Sequence, residues 1–144
     1  MRTPWLGFLV AAGLVLGTTA IGLLLRMYLG WKKDNPALLR GVQWLSQRGP
    51  SDNMYYDYYA TQVMRHMEGD VWKKWNAQMR DYLVSTQRQN GHEEGSWYFE
   101  GEDLGASRGG RLYSTALAAV ILEVYYRHLP IYRKPSTEAD SPVE

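Results

Sequence analysis

From Val71 to about Arg88, Trp72, Trp75, Met79, Tyr82 and Leu83 recur at helical spacing, while Lys73, Lys74 and Arg80 mark the opposite side. This pattern predicts an amphipathic helix with one buried face. Tyr55 to Met67 reads as the helix before it, and Glu68-Gly69-Asp70 stops the first and caps the second. Upstream, Gly30 to Pro36 is a turn in which Asn35 is placed to cap, and Pro36 takes the first position of a helix reaching about Gln47. The chain then breaks at Gly49-Pro50-Ser51-Asp52-Asn53. Between Gln89 and Gly110 the glycines at 91, 95, 101, 105, 109 and 110 are too frequent for a helix interior, so a long loop built from turns is expected. Leu112 to Leu129 is predicted as the last helix. It is apolar almost all round through Ala116, Leu117, Ala119, Val120, Ile121 and Val124, which implies burial, and Pro130 ends it. Lys134 to Glu144, with Pro135, Ser136, Ser141 and Pro142, reads as a disordered tail.

The first 30 residues have a different pattern. No charge falls between Thr3 and Leu25, and Arg2 and Arg26 flank the stretch. Its ~23 residues, at ~1.5 Å each, match roughly 30 Å of hydrocarbon. Three readings stay open: a membrane anchor, a signal peptide with Thr18-Thr19-Ala20 as a weak cleavage pattern, and a core helix of a repeat array. The third draws on Thr19-Ala20-Ile21-Gly22, which resembles Thr61-Gln62-Val63-Met64 and Thr115-Ala116-Leu117-Ala118. If the segment spans a membrane, Arg26, Lys32, Lys33 and Arg40 outweigh Arg2 and place the C-terminal part of the chain in the cytoplasm.

A near-repeat organises the remainder. Arg40-Gly41-Val42-Gln43-Trp44-Leu45 returns as Arg80-Asp81-Tyr82-Leu83, and the second copy runs on through Gln87 to Gly95-Ser96-Trp97. A period of about 38 residues suits a helix-turn-helix unit whose buried face is completed by its neighbours. Tyr82-Leu83, then Gln87, a Gly-rich stretch and Gly95-Ser96-Trp97 resemble the QW motif of the terpenoid cyclases. Here Arg88 to Glu94 intervene where that motif is compact, as though Asn90-Gly91-His92-Glu93-Glu94 were inserted. Trp44-Leu45 resembles the opening of a second copy that lacks its Gly-x-Trp. With Tyr59-Ala60-Thr61 and Gly110 to Leu117, the chain from Thr19 to Leu129 looks like the prenyltransferase and squalene-oxidase repeat family. That resemblance implies an all-α fold, an α/α toroid of inner and outer helices. This chain holds about two and a half helical hairpins of it: an apolar N-terminal helix (1–30), a repeat region (31–129) and the tail (130–144). The closed ring needs more, so further toroid repeats, a capping partner or a membrane contacting residues 3–25 are the partners implied. In the motif, a Gln at a helix C-terminus can bond backbone groups of the next unit and a Trp after a Gly turn can stack beside it, stapling consecutive hairpins.

Composition narrows function by exclusion. The 144 residues are 45% hydrophobic and carry a net charge of +1 from 16 basic and 15 acidic side chains, enough for a core and without the basic stripe of a nucleic-acid binder. No Cys is present, which removes disulfides, thiolate metal sites and Cys nucleophiles. Eleven Tyr and six Trp against two Phe favour rings that pack while their polar atoms find partners.

The chemistry of the resembled enzymes does not transfer. Terpenoid cyclases protonate their substrate with an Asp-rich motif, Asp-x-Asp-Asp or Asp-Cys-Thr-Ala-Glu, and neither occurs. The nearest acidic pairs, Asp52-Asn53 and Glu102-Asp103, sit in turns where such residues are commonplace. The zinc site of protein prenyltransferases needs a Cys. His66, His92-Glu93-Glu94 and His128 lack ligand spacing, so no metal and no cofactor is expected. The densest aromatic cluster is Tyr55-Tyr56-Asp57-Tyr58-Tyr59, whose Tyr55, Tyr56, Asp57 and Tyr59 would begin an inner helix. Packing explains most of it, and an aromatic wall could also receive an apolar or cationic ligand. Gly109-Gly110-Arg111, ahead of Tyr113, suggests an anion site or simply a helix-start turn. The expectation is a squalene cyclase/prenyltransferase-like repeat protein acting as a non-catalytic binding or scaffold module at a membrane, or otherwise in the cytoplasm or cell envelope. The alternative is the C-terminal fragment of a terpenoid cyclase or prenyltransferase-like enzyme acting on an isoprenoid, its catalytic acid lying outside this chain.

Overall fold

The computed structural model describes the backbone of residues 4–99 and 103–127, and side chains there except at 4–14, 16, 104 and 125–127. Every long element is a helix: α1 Pro4–Tyr28, α2 Pro36–Arg48, α3 Met54–Met67, α4 Gly69–Thr86 and α5 Leu104–Arg127, with a single 3-10 turn at Gly91–Glu93. The all-α expectation holds. The predicted tail and Pro130 lie outside the described residues.

Local chemistry accounts for the helix ends. The Asn35 side chain accepts from the amides of Ala37 and Leu38, and Pro36 opens α2, where its missing N–H leaves nothing unsatisfied. Asn53 caps α3 through the Tyr56 amide at 2.9 Å. Between α3 and α4 the backbone turns left-handed at two successive residues, Glu68 (φ 63) and Gly69 (φ 62), and reverses direction without a loop.

α3 lies in the middle. It packs against α1 on one side and α5 on the other, so the odd-numbered helices form a row, and α2 and α4 pack against that row. Ala20, Leu23 and Leu24 of α1 meet Leu38, Val42 and Leu45 of α2 in the same core as Ala60, Val63 and Met64 of α3. Trp72, Trp75, Met79 and Leu83 form the predicted buried face of α4, and Ala118, Ile121 and Val124 that of α5. Burying a Leu or Met side chain of this kind contributes about 1.5–3 kcal/mol. Gly41 lets α1 approach α2, for a Cβ there would lie 2.5 Å from Leu23 Cδ2.

Two expectations need correction. The Gly-rich stretch is not loop as far as Gly110: α5 begins at Leu104, with one non-helical residue, Gly110 (φ 59, ψ −149), breaking it before the long run to Arg127. The tolerance for glycine comes from Tyr113: a Cβ at Gly105 would overlap its ring, and one at Gly109 would lie 2.6 Å from its Cβ. α5 is also not buried all round. Leu112 is 81% exposed and Ala116 and Ala119 are exposed, because α3 covers one side of the helix only.

The apolar first segment forms one helix, yet its second half belongs to the core. Gly17 is buried beside Tyr55, where a Cβ would lie 3.4 Å from the ring, and Ala20, Leu23 and Leu24 are buried. Among the described residues no helix is long and apolar enough to cross a membrane, so the expected transmembrane helix is not found.

Candidate functional site

The N-terminus of α3 gathers most of the residues singled out in the sequence, and with them three carboxyl groups. Asp103, just ahead of α5, is almost fully buried and accepts four bonds. Its Oδ1 takes the Gly105 amide (2.8 Å), the Ala106 amide (3.4 Å) and the Tyr113 hydroxyl (3.2 Å), and its Oδ2 takes the Tyr55 amide (3.4 Å). One side chain thus caps α5 and satisfies a free amide of α3, which ties the two helices together. Asp52 accepts from the Tyr82 hydroxyl at 2.7 Å and thereby joins the α2–α3 turn to α4. Asp57 is completely buried, with both oxygens facing the Ser51 amide at 3.2 and 3.3 Å.

Burial shapes the protonation of this region. Asp57 is pushed well above the usual carboxylate range by loss of solvent, and the nearby Asp52 and Asp103 push the same way, against the Ser51 amide and Arg48. Tyr56, Tyr82 and Tyr113 are raised by burial first, and then by Asp57, Asp52 and Asp103 respectively. The hydroxyl of Tyr55 bonds that of Tyr59 and, with some burial, pushes it up to about 12. Tyr56, Tyr82 and Tyr113 stay neutral donors at physiological pH.

The predicted ligand-binding residues do not form one wall. Tyr55, Tyr59 and Tyr113 come together: Tyr55 and Tyr59 pack edge to face at 4.9 Å, Tyr59 and Tyr58 likewise at 5.0 Å, and Tyr113 lies close enough to feel both Tyr55 and Tyr59. Tyr56 and Asp57 point the other way, into the core, where Tyr56 donates to the Gly49 carbonyl (3.1 Å) and packs edge-on to Trp75. Arg111 leaves the group altogether. Its guanidinium pairs with Glu93 at 2.7 Å, donates to Ser96 Oγ at 3.3 Å and covers the ring of Tyr98. The suggested anion site is therefore occupied by the chain's own carboxylate, supplied by the segment that looks inserted in the repeat. Among the described residues no group of three His, Cys, Asp or Glu side chains is placed to hold a metal ion.

The repeat motif is a staple, by a route different from stacking. Gln87 Nε2 donates to the Gly95 carbonyl (2.9 Å), closing a loop that the Arg88 amide to Ser96 carbonyl (3.0 Å) and Gly95 amide to Arg88 carbonyl (2.8 Å) bonds also close. The indole N–H of Trp97 donates to the Leu83 carbonyl at 2.8 Å, in the last turn of α4. Thr115 Oγ1 of α5 accepts the Trp97 amide and donates to the Trp97 carbonyl. Loop, α4 and α5 are thus pinned at one residue. In the first copy Leu45 is buried like Leu83, Gly49 N–H bonds its carbonyl, and Tyr56 reaches back to the Gly49 carbonyl, so an aromatic closes that turn too. Trp44 is 42% exposed, whereas its counterpart Tyr82 is half-buried against Phe99 and bonded to Asp52.

The sequence marks Asp52 and Asp103 as turn residues, which they are, but not that Asp52 ties its turn to α4 or that Asp103 bridges α3 and α5. Asp103 had a local signal, an Asp just before a helix, but its reach to Tyr55 and Tyr113 arises only from packing. No family model, curated protein or solved structure matches the chain.

Proposed function

We propose that this chain is a non-catalytic repeat module of the squalene cyclase/prenyltransferase-like kind, a segment of an α/α array that presents an apolar edge for a further helical layer to cover. The observation that carries this reading is the two-sided character of α1. Ala20, Leu23 and Leu24 face the core, while Val15 and Leu25 on the other side of the helix are 59% and 54% exposed, and Leu29, in the turn just after it, is 82% exposed. Thr18 and Arg26 share that outer side, so the apolar residues there form an edge and not a continuous face. The row of α1, α3 and α5 with α2 and α4 against it, and the Gln87–Trp97 staple, support an array of repeated hairpins. The reading of the carboxyls as structural rests on their commitments: Asp103 to four donors, Asp52 to Tyr82, and Asp57 without solvent contact.

Membrane association through the first residues is part of the proposal in a restricted form. In the second half of α1, Ala20, Leu23 and Leu24 are committed to the core, so the membrane contact proposed is one that leaves this packing in place. The test compares the full chain with Leu25→Glu/Leu29→Glu by sedimentation, dye binding to exposed apolar surface, and membrane fractionation with carbonate washing. Self-association or membrane retention that the charged pair abolishes, with helicity unchanged, supports an edge that needs covering. A wild-type chain that is monomeric, dye-silent and absent from membranes contradicts the proposal.

A further inference from the structure

Asp57 is the one buried ionisable group that the structural account leaves without a role beyond a single bond, and its surroundings are unusual for a carboxylate. Among the described residues it receives one donor, the Ser51 amide, shared between two oxygens at 3.2 and 3.3 Å. An ionised carboxyl offers about four acceptor sites, and one removed from water with a single N–H is poorly satisfied. The charged and titratable groups that act on it or on its neighbours come from α2 to α5: Arg48 from the end of α2, Asp52 from the turn, Tyr56 from α3, Tyr82 from α4 and Asp103 from the start of α5. Arg48 alone is cationic, and it is exposed to solvent, which screens it. Asp103 has four donors to hold its charge, and Asp52 is exposed with the Tyr82 hydroxyl. Of the three carboxyls, Asp57 is the one least equipped to ionise.

We propose that the turn between α2 and α3 is a proton-dependent clasp: Asp57 in its neutral form holds Ser51 and closes the turn, and loss of its proton frees the turn from the start of α3. The clasp holds because a neutral carboxyl still accepts the Ser51 N–H through its carbonyl oxygen, and burying its hydroxyl costs far less than burying a charge. Ionisation places a charge beside Asp52 and Asp103, and the nearest remedy is water. Water reaches Asp57 when residues 49–53 swing out, and the Tyr56–Gly49 and Tyr82–Asp52 bonds, which end on the same turn, are then lost with it. A group whose folded pKa is raised above its unfolded value gives stability that is present at low pH and lost as pH rises through the folded value. The clasp therefore closes on acidification and loosens towards alkaline pH.

The experiment is amide hydrogen exchange of Ser51 in the full chain from about pH 5 to about pH 9, each rate divided by the intrinsic rate at that pH. The expected result is a fall of at least about tenfold in Ser51 protection across the range, while amides in the middle of α4 stay protected. In Asp57→Asn, whose side-chain oxygen still accepts from Ser51 and cannot ionise, protection stays high throughout. Flat protection in the wild-type chain overturns the proposal, as does a fall that persists in Asp57→Asn. Should Asp57→Asn not fold, Asp52→Asn decides: removing one like charge moves the fall to lower pH if Asp57 is the group that titrates, and an unmoved fall overturns the assignment.

Discussion

At the scale of single residues, the chain uses rings with polar atoms as fasteners. Trp75 donates its indole N–H to Thr61 at 2.9 Å, Trp97 to the Leu83 carbonyl, Tyr56 to Gly49, Tyr82 to Asp52 and Tyr113 to Asp103. Each of these five rings supplies buried area and one directed bond, which Phe cannot do, in a chain with eleven Tyr and six Trp against two Phe. Trp97 is the sharpest case, since it closes α4 and the loop and meets α5 at once. Trp97→Phe keeps most of the ring but leaves the Leu83 carbonyl without its indole partner. Urea unfolding is expected to show a loss of about 1–3 kcal/mol with an unchanged m-value. Gln87→Ala removes a bond at an exposed position, and its cost is expected to be smaller, about 0.5–1.5 kcal/mol. The ring positions were legible in the sequence; their acceptors were not, because most are backbone carbonyls or side chains on other elements.

At the scale of elements, the helices begin and end where local chemistry dictates, and they meet where glycine allows. Gly41 is the clearest contact. Ala there would gain up to about 1 kcal/mol of helix propensity in isolation. In the fold its Cβ would approach three atoms of Leu23, at 2.5, 2.8 and 3.2 Å, so the whole isobutyl group has to move. Overpacking of this kind costs about 1–3 kcal/mol. Gly41→Ala is expected to be neutral or destabilising alone and stabilising in a Leu23→Ala background, a coupling that thermal unfolding of the four-member double-mutant cycle measures. The element the sequence misread, the start of α5, fails by the same logic. Glycine is costly in a helix on propensity grounds, but Gly105 and Gly109 are where the Tyr113 side chain lies, its ring against the first and its Cβ against the second, and that contact is invisible until α5 is coiled.

At the scale of the molecule, the decisive fact is that the second half of α1 is part of the core and not an appendage. A chain beginning at Asn35 lacks Ala20, Leu23 and Leu24, of which each Leu contributes about 1.5–3 kcal/mol, and it exposes the side of α3 they cover. Against a net stability of about 5–15 kcal/mol, that loss is expected to leave the shortened chain largely unfolded or aggregated. Circular dichroism and sedimentation check this directly; a well-folded, soluble shortened chain would show that α1 is dispensable. Hydropathy by itself kept anchor, leader and core helix open for this segment, because all three need an uncharged run of similar length. The sequence by itself determined the helical class, the cap at Asn35, the buried face of α4 and the turn at Glu68-Gly69, since each depends on residues within one or two helical turns. Only the tertiary structure decided which way Asp57, Asp103 and Arg111 point, that Glu93 fills the place offered to an anion, and that one face of α1 is inside while the other is not. Those outcomes depend on which helices become neighbours, a property set by packing across the whole chain and carried by no local pattern.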